Sequence, residues 1–324
     1  MGQVCYRTFD PVADRKAVME LWNLCLKADP IDEATYDEKI IGDPNLDPAG
    51  CPIAEVDGKV VGFAISQVRR TPNDGRGYEL DRGWITVFMV HPDHRKKGIG
   101  SALIQHCIDF IKSKDRYTIY VCGLTGSSPK YFFPGVDIKA YPEAIKLLEK
   151  HGFWTTHYAH HMERSLKDWN YPAEVAKIEE ELKKEGITVQ PLAKGEHLDL
   201  LEFLWHNFPG DWYRHVEIVM NQNPENYTRF FTAKQNGKIV GYCHIEDSHF
   251  GPFLVRYDLR SKNIGTVIFN RALERIKSNG HDKVWFGWAD EPIPARFYRK
   301  QGMKEIRTYA MMRKGGLQGW HADS

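Results

Sequence analysis

Three consecutive basic residues, Arg95, Lys96 and Lys97, run directly into Gly98, Ile99 and Gly100, between a nearly continuous apolar run at 83–90 (GWITVFMV) and a stretch of helical periodicity at 100–113. A strand, a glycine-containing turn and a helix start in that order make an anion site. The first amides of a helix have no carbonyl behind them to bond, and the dipole puts its positive end there. Glycine lets the backbone approach a ligand with no Cβ in the way. One favourable charge at a helix start contributes only about 0.3–1 kcal/mol, so useful affinity needs several amides together with the basic side chains. The chemistry implied is the holding of a phosphate or pyrophosphate.

Two familiar phosphate motifs do not fit. The dinucleotide fingerprint G-x-G-x-x-G fails because Leu103 stands where its third glycine belongs, and no G-x-x-x-x-G-K-[ST] occurs anywhere in the chain. The pattern that remains is R-x-x-G-x-G after an apolar strand ending in Val90-His91-Pro92, followed downstream by A-x-x-L-x-x-x-x-G-F over Ala144–Phe153. This resembles the acetyl-CoA loop of the GNAT superfamily of N-acetyltransferases. The resemblance implies that the amides of Gly98, Ile99, Gly100 and Ser101, with Arg95, Lys96 and Lys97, hold the pyrophosphate of acetyl-CoA. It also implies that Phe88, Met89 and Val90 pair through their backbone with the pantetheine arm, and that no metal is needed.

A second, weaker copy lies 165 residues further on, where VRYDLRSKNIGTVIF (255–269) repeats the layout with Asn263 in place of the glycine at 98. Asn tolerates left-handed backbone angles, so the turn can survive, but its side chain would crowd a passing pyrophosphate. The first copy is therefore expected to hold acetyl-CoA and the second weakly or not at all. The tyrosine that many family members carry on the last helix to protonate the departing thiolate is distributed the other way. Leu148 fills that position in the first copy and Tyr298 in the second, while Tyr141 stands at the expected start of the first copy's helix. Tyr141 and Tyr298 are thus the candidate acids, with water as the alternative to Tyr141.

For the base, Glu79 stands in GYELDRGW just before the apolar strand, with Asp81 beside it. Tyr131, Phe133 and Asp137, in the segment 127–142 that the resemblance places across the acceptor region, are candidate acceptor contacts. Glu79, Asp81 and Asp137 would make an acidic pocket suited to a cationic amine such as an aminoglycoside-like sugar, a polyamine or a basic amino acid, with Arg69 and Arg70 turned to solvent. HYAHHMERS (157–165) brings histidines together, but alternation on a strand separates His160 from His157 and His161, and no second ligand cluster accompanies them.

The elements that must position these residues occur twice in the same order. VDGKVVGFAIS (56–66) parallels QNGKIVGYCHI (235–245), and LLEKHGF (147–153) parallels FYRKQGM (297–303). Each copy reads as an opening strand, an amphipathic helix, a hairpin turning at Asp57-Gly58 or Asn236-Gly237, an apolar strand, the basic loop and a helix. A further strand and the last helix follow. The loop helices place Leu103, Cys107 and Ile111, or Phe269, Ala272 and Ile276, on one face. The strand and helix alternation predicts a mixed α/β sheet in each of two tandem domains: 1–168 with the intact loop and 187–324 with the degenerate one, joined by a charged helix at 169–186.

Composition agrees. At 324 residues two domains are the default, 44 basic against 43 acidic residues give no nucleic-acid footprint, and six scattered cysteines with no apolar leader predict a cytoplasmic protein with reduced thiols. The expected activity is acetyl transfer from acetyl-CoA to the primary amine of a small molecule by direct attack. The other readings are a non-catalytic CoA-binding sensor, or an acyl or aminoacyl transferase on the same duplicated fold. Residue types do not fix the oligomeric state.

Overall fold

The computed structural model describes residues 2–72, 77–123, 132–208 and 211–316. Its strands and helices form two compact units, and the division is discontinuous along the chain. The first unit takes residues 1–159 together with the chain from 308 onward, and the second takes 160–307. The boundary thus falls inside a strand, whereas the sequence pointed to the helix at 169–186, and the last strand of the chain contributes to the first unit.

In the first unit β1 (Val4–Thr8) leads to α1 (Arg15–Cys25), the short α2 (Glu33–Tyr36), β2 (Pro52–Val56), β3 (Lys59–Gln67) and β4 (Arg82–Val90). Then come α3 (Ile99–Ser113), β5 (Thr118–Val121), the two-residue β6 (Val136–Asp137), α4 (Pro142–Lys150) and the opening half of β7 (Trp154–Ser165). The sheet runs β1, β2, β3, β4, β5 with antiparallel neighbours up to β4, and β4 to β5 is parallel. Residues 308–314 continue it as an antiparallel partner of β5, with Met312 opposite Val121, and Tyr309 opposite Asp137 of β6. The β2 to β3 turn has φ of 51° at Asp57 and 73° at Gly58, the positive pair that a two-residue hairpin of right-handed twist requires.

Both faces of β4 are covered, as its unbroken apolar sequence predicts. Ile85 packs with Leu103, Cys107 and Ile111 of α3, while Val87 and Met89 pack with Val18, Leu21 and Trp22 of α1. Between them the register against β3 slips by one residue, with Ile65 opposite Val87 but Ser66 opposite Ile85, so Thr86 is a bulge. Each fully buried aliphatic or aromatic side chain here contributes about 1.5–3 kcal/mol, which fixes α1 and α3 on opposite faces of the strand that carries the loop.

The second unit repeats this plan. After α5 (Ala173–Lys184) come β8 (Ile187–Pro191), α6 (His197–Asn207), α7 (Asp211–Gln222), β9 (Phe230–Gln235), β10 (Lys238–Glu246) and β11 (His249–Val255). α8 (Ile264–Ser278), β12 (Lys283–Asp290), α9 (Ile293–Lys300) and the opening residues of β13 (Lys304–Lys314) complete it. The strand order is β12, β11, β10, β9, β8, and only β11 to β12 is parallel. Asn236 and Gly237 repeat the hairpin turn at φ of 51° and 80°. α7 was not foreseen in the sequence. Among the described residues no helix is long and apolar enough to cross a membrane.

Candidate active site

The first loop folds as its composition requires. Gly98 is the N-cap of α3 in the left-handed region, φ +85°, and a Cβ placed there would meet no atom within 4 Å. The helix therefore begins at an open approach, with the amides of Ile99, Gly100 and Ser101 in its first turn, where no carbonyl lies one turn behind them. Gly100 serves a different need. A Cβ there would lie 3.0 Å from Leu147 of α4, so this glycine lets the two helices pack closely. The basic side chains staple the loop as much as they charge it: Arg95 Nε donates to the Val90 carbonyl at 3.0 Å and Lys97 Nζ to the Asp93 carbonyl at 2.7 Å. Lys96 is exposed and adopts φ +60°.

Beyond the loop, β4 and β5 part. Their pairing runs from Arg82 opposite Thr118 to Ile85 opposite Val121, where Cys122, at φ +58°, donates its amide to the Ile85 carbonyl and β5 ends. β4 continues to Val90, paired on its other side with β3. Among the described residues the edge of Phe88, Met89 and Val90 that faces away from β3 has no strand partner. A chain bearing amides could extend along it.

Tyr141 sits beside this opening as the N-cap residue of α4, its ring packed with the cores on both faces of the sheet. Its hydroxyl donates to Asp29 Oδ2 at 2.7 Å, and Asp29 lies between α1 and α2. The loop after α1 is held in place by Trp22 Nε1, which donates to the Asp29 carbonyl at 2.8 Å, and the Trp22 ring is packed in turn by Phe132 at 4.8 Å. Phe133 is partly buried against the same tryptophan at 6.4 Å and accepts the Gly123 amide with its carbonyl. Burial, with the charge of Asp29 adding to it, pushes the Cys122 thiol well above its ordinary range. A cleft of about 420 Å³ opens here, lined by Cys25, Lys27, Pro92, Arg95 and Tyr141 among others. Cys25 is held up by burial, partly offset by Arg95.

The expected acidic pocket is not formed. Glu79 is an ion-pair partner of Arg69, with side-chain exposures of 6% and 1%, and also lies 3.6 Å from Arg82. Arg69, expected in solvent, is buried because that carboxylate and the Trp84 ring, 5.7 Å away, receive it. Arg70 is exposed as expected. Asp81 is a surface residue whose carboxylate is forked by Arg82 at 2.9 and 3.1 Å. Asp137 is buried, and its Oδ1 accepts the amides of Lys139 and Ala140, so it shapes the turn into α4. Tyr131 lies outside the described residues.

The corresponding region of the second unit is filled. Asn263 takes the left-handed N-cap conformation at φ +61°, and Arg260 Nε donates to the Val255 carbonyl at 3.3 Å, as Arg95 does to Val90. Lys262, however, is paired with Glu185. A Cβ on Gly265 would lie 3.0 Å from the Phe253 ring, which stacks on Phe297 at 5.6 Å. Where the first unit has Val121 and Leu148, this one has Phe286 and Tyr298, whose rings lie 4.9 Å apart. Tyr298 is 3% exposed, its phenol pushed far up by burial, and it is enclosed by Phe250, Phe269, Phe286 and Phe297. It is a core residue, and its candidacy as an acid is withdrawn.

Of the clustered histidines, His160 faces Glu291 at 3.0 Å and Glu305 at 3.6 Å in the second unit. Arg299 bonds both carboxylates and supplies the positive charge they need. Asp29 escaped the sequence reading because a lone aspartate before Pro30 carries no motif.

The comparisons with known proteins agree with this duplication. The acetyltransferase (GNAT) family model matches residues 15–127 and again 197–303. A mycothiol acetyltransferase of Acidimicrobium ferrooxidans is 31% identical over 114 residues, 34% of this chain and 35% of that protein, so the match spans about a third of the relative's length. A GCN5-related glucosamine N-acetyltransferase region of a fungal multi-domain β-N-acetylglucosaminidase superposes with TM-score 0.72 at 19% identity, over 97% of this chain and 38% of that one. A tandem GNAT protein from the clavulanic acid pathway superposes with TM-score 0.59 at 15% identity, over 98% of this chain and all of the other. At such identities the two superpositions speak for the fold alone. With two family matches that together cover more than half of its length, the chain belongs to the acetyltransferase (GNAT) family and carries that domain twice.

Proposed function

We propose that the protein transfers an acetyl group from acetyl-CoA to the primary amine of a small molecule, and that the first unit carries the reaction. The observation that bears most weight is the pairing of an open, left-handed glycine at the start of α3 with a β4 edge that, among the described residues, has no strand partner beyond Ile85. These features fit acetyl-CoA: the first is a cradle that a side chain would fill, and the second is backbone hydrogen-bonding capacity beside it. When bound, acetyl-CoA would supply a thioester carbonyl activated toward an amine. The amides of Gly98–Ser101 would hold the pyrophosphate, with Arg95, Lys96 and Lys97 adding positive charge. Phe88, Met89 and Val90 would orient the arm, and an N–H of that stretch would hold the negative charge that develops on the carbonyl oxygen. Tyr141, whose hydroxyl faces Asp29 beside the cleft, would give a proton to the leaving sulfur.

The second unit is read as structural. Phe253, Phe297, Phe286 and Tyr298 pack around its loop helix, and Asn263 adds a side chain at the approach. The test is calorimetric titration with acetyl-CoA followed by a thiol-release assay over glucosamine, spermidine and L-lysine. One binding site and turnover of at least one amine is the expected result. Binding without turnover of any amine would favour the sensor reading, and no binding at millimolar acetyl-CoA would remove both.

A further inference from the structure

We infer that Asp29 and Tyr141 form a proton-exchanging couple on the acceptor side of the first unit, with Asp29 meeting the reacting nitrogen. This rests on the acetyl-transfer reading above. The three carboxylates that the sequence offered are otherwise engaged: Glu79 with Arg69, Asp81 with Arg82, and Asp137 with the turn before α4. Asp29 is different in place. It is half-buried, accepts the Tyr141 hydroxyl at 2.7 Å, and lies close enough to Cys122, the residue at which β5 leaves β4, to perturb its thiol. A carboxylate and a phenol thus share one hydrogen bond at the mouth of the strand divergence, and Trp22, packed in turn by Phe132, holds the loop that carries Asp29.

The arrangement closes the proton balance of acyl transfer. An acceptor that arrives as an ammonium gives one proton to solvent before attack; as the nitrogen–carbon bond forms, the now neutral nitrogen loses one more, and as the carbon–sulfur bond breaks, its electron pair stays on sulfur, which gains one. Asp29 takes the proton lost on bond formation and Tyr141 gives the one that sulfur gains. Movement of the proton from Asp29 to the phenolate along their shared bond then restores both groups, with no net proton left on the protein. A carboxylate at this point also attracts an ammonium, so the acceptor it selects is cationic.

The experiment titrates glucosamine, spermidine and L-lysine by calorimetry into wild type, Asp29→Asn, Asp29→Glu and Tyr141→Phe, each checked for unchanged circular dichroism, and then measures kcat and KM with acetyl-CoA saturating. Asp29→Asn is expected to weaken amine binding about 10-fold and to lower kcat/KM about 10- to 100-fold, the usual span for losing a charged hydrogen-bond partner. Asp29→Glu is expected to recover part of both. Tyr141→Phe is expected to lower kcat with amine affinity unchanged. If amines bind and are acetylated but Asp29→Asn leaves affinity and kcat/KM within twofold, the couple is refuted while acetyl transfer stands. Amines that bind through Asp29 without being acetylated would refute acetyl transfer and keep Asp29 as an amine contact. Wild type that neither binds nor acetylates any of them would overturn both.

Discussion

The two loops of this protein cap their helices alike and have different surroundings. Gly98 and Asn263 cap their helices in the left-handed region, and Arg95 and Arg260 each fold back onto the carbonyl of the strand's last valine. What separates them is the backbone before the cap, where Lys96 turns through φ +60° while Tyr257–Lys262 forms one continuous turn, and the volume around it. Around the first loop the adjacent residues are Val90 and Leu147, whereas around the second Phe253 and Phe297 stack over Gly265, with Phe286 and Tyr298 behind them. A duplicated domain can keep the helix cap of an anion site, which its own packing requires, while side chains crowd the space beside it.

The sharpest way to break this comparison is to exchange tyrosines for phenylalanines. Tyr141 faces a cleft and a carboxylate, while Tyr298 is enclosed by rings. Loss of a positioned proton donor costs about 100-fold or more in rate, so Tyr141→Phe is expected to lower kcat by that order while Tyr298→Phe leaves it within about twofold. Steady-state kinetics on both variants checks this. Equal losses would place chemistry in the second unit.

A second difference is in acid. The second unit buries His244 and half-buries His215 and His249, and the loss of solvent lowers all three, His244 to about 2 and His249 to about 4. Among the described residues of the first unit, half-buried His151 is the one histidine with a lowered value, through burial and the charge of Lys314. Folded values below the unfolded 6.5 mean that the native state refuses protons which the unfolded state accepts. Their contribution is complete above pH 6.5 and falls as the pH drops, by up to about 1.4 kcal/mol per pH unit for each histidine over the window from 6.5 down to its folded value. Hydrogen exchange at pH 7 and pH 5, with protection converted to free energies of opening, is expected to show the second unit losing more stability than the first. A larger loss in the first unit would contradict this.

The smallest effect belongs to Arg95→Ala. Its guanidinium is exposed and spends Nε on the Val90 carbonyl, so the loss of acetyl-CoA affinity is expected to be about 1 kcal/mol or less, read by titration. A loss of 100-fold would show that this arginine, and not the row of amides, carries the pyrophosphate.

Much of the fold was legible because its signals are local. Asp57-Gly58 and Asn236-Gly237 specify their hairpins through backbone conformation alone, and the spacing of Leu103, Cys107 and Ile111 specifies which face of α3 is buried. The loop was legible for the same reason. What escaped depends on contacts distant in sequence. Nothing near Lys314 shows that residues 308–314 pair with β5, since a strand's partner is set by the whole sheet. The charges misled most: Glu79 reads as an available base until Arg69, ten residues away, is found against it, and Asp29 is ordinary until Tyr141 arrives from 112 residues along the chain. A carboxylate's chemistry depends on its neighbours, and spacing in a single sequence does not supply them.

The most direct measurement is a calorimetric titration of acetyl-CoA into wild type, Gly98→Trp and Asn263→Trp, with circular dichroism confirming that all three are folded. Both substitutions place an indole on a left-handed residue at a helix start and so carry similar backbone strain, about 1–2 kcal/mol. At Gly98 a side chain would enter an approach where a Cβ meets no atom within 4 Å, whereas at Asn263 a side chain already stands. One site per chain in wild type, abolished in Gly98→Trp and unchanged in Asn263→Trp, is the expected result. Two sites in wild type, or equal losses in the two variants, would contradict the assignment of acetyl-CoA to the first unit alone.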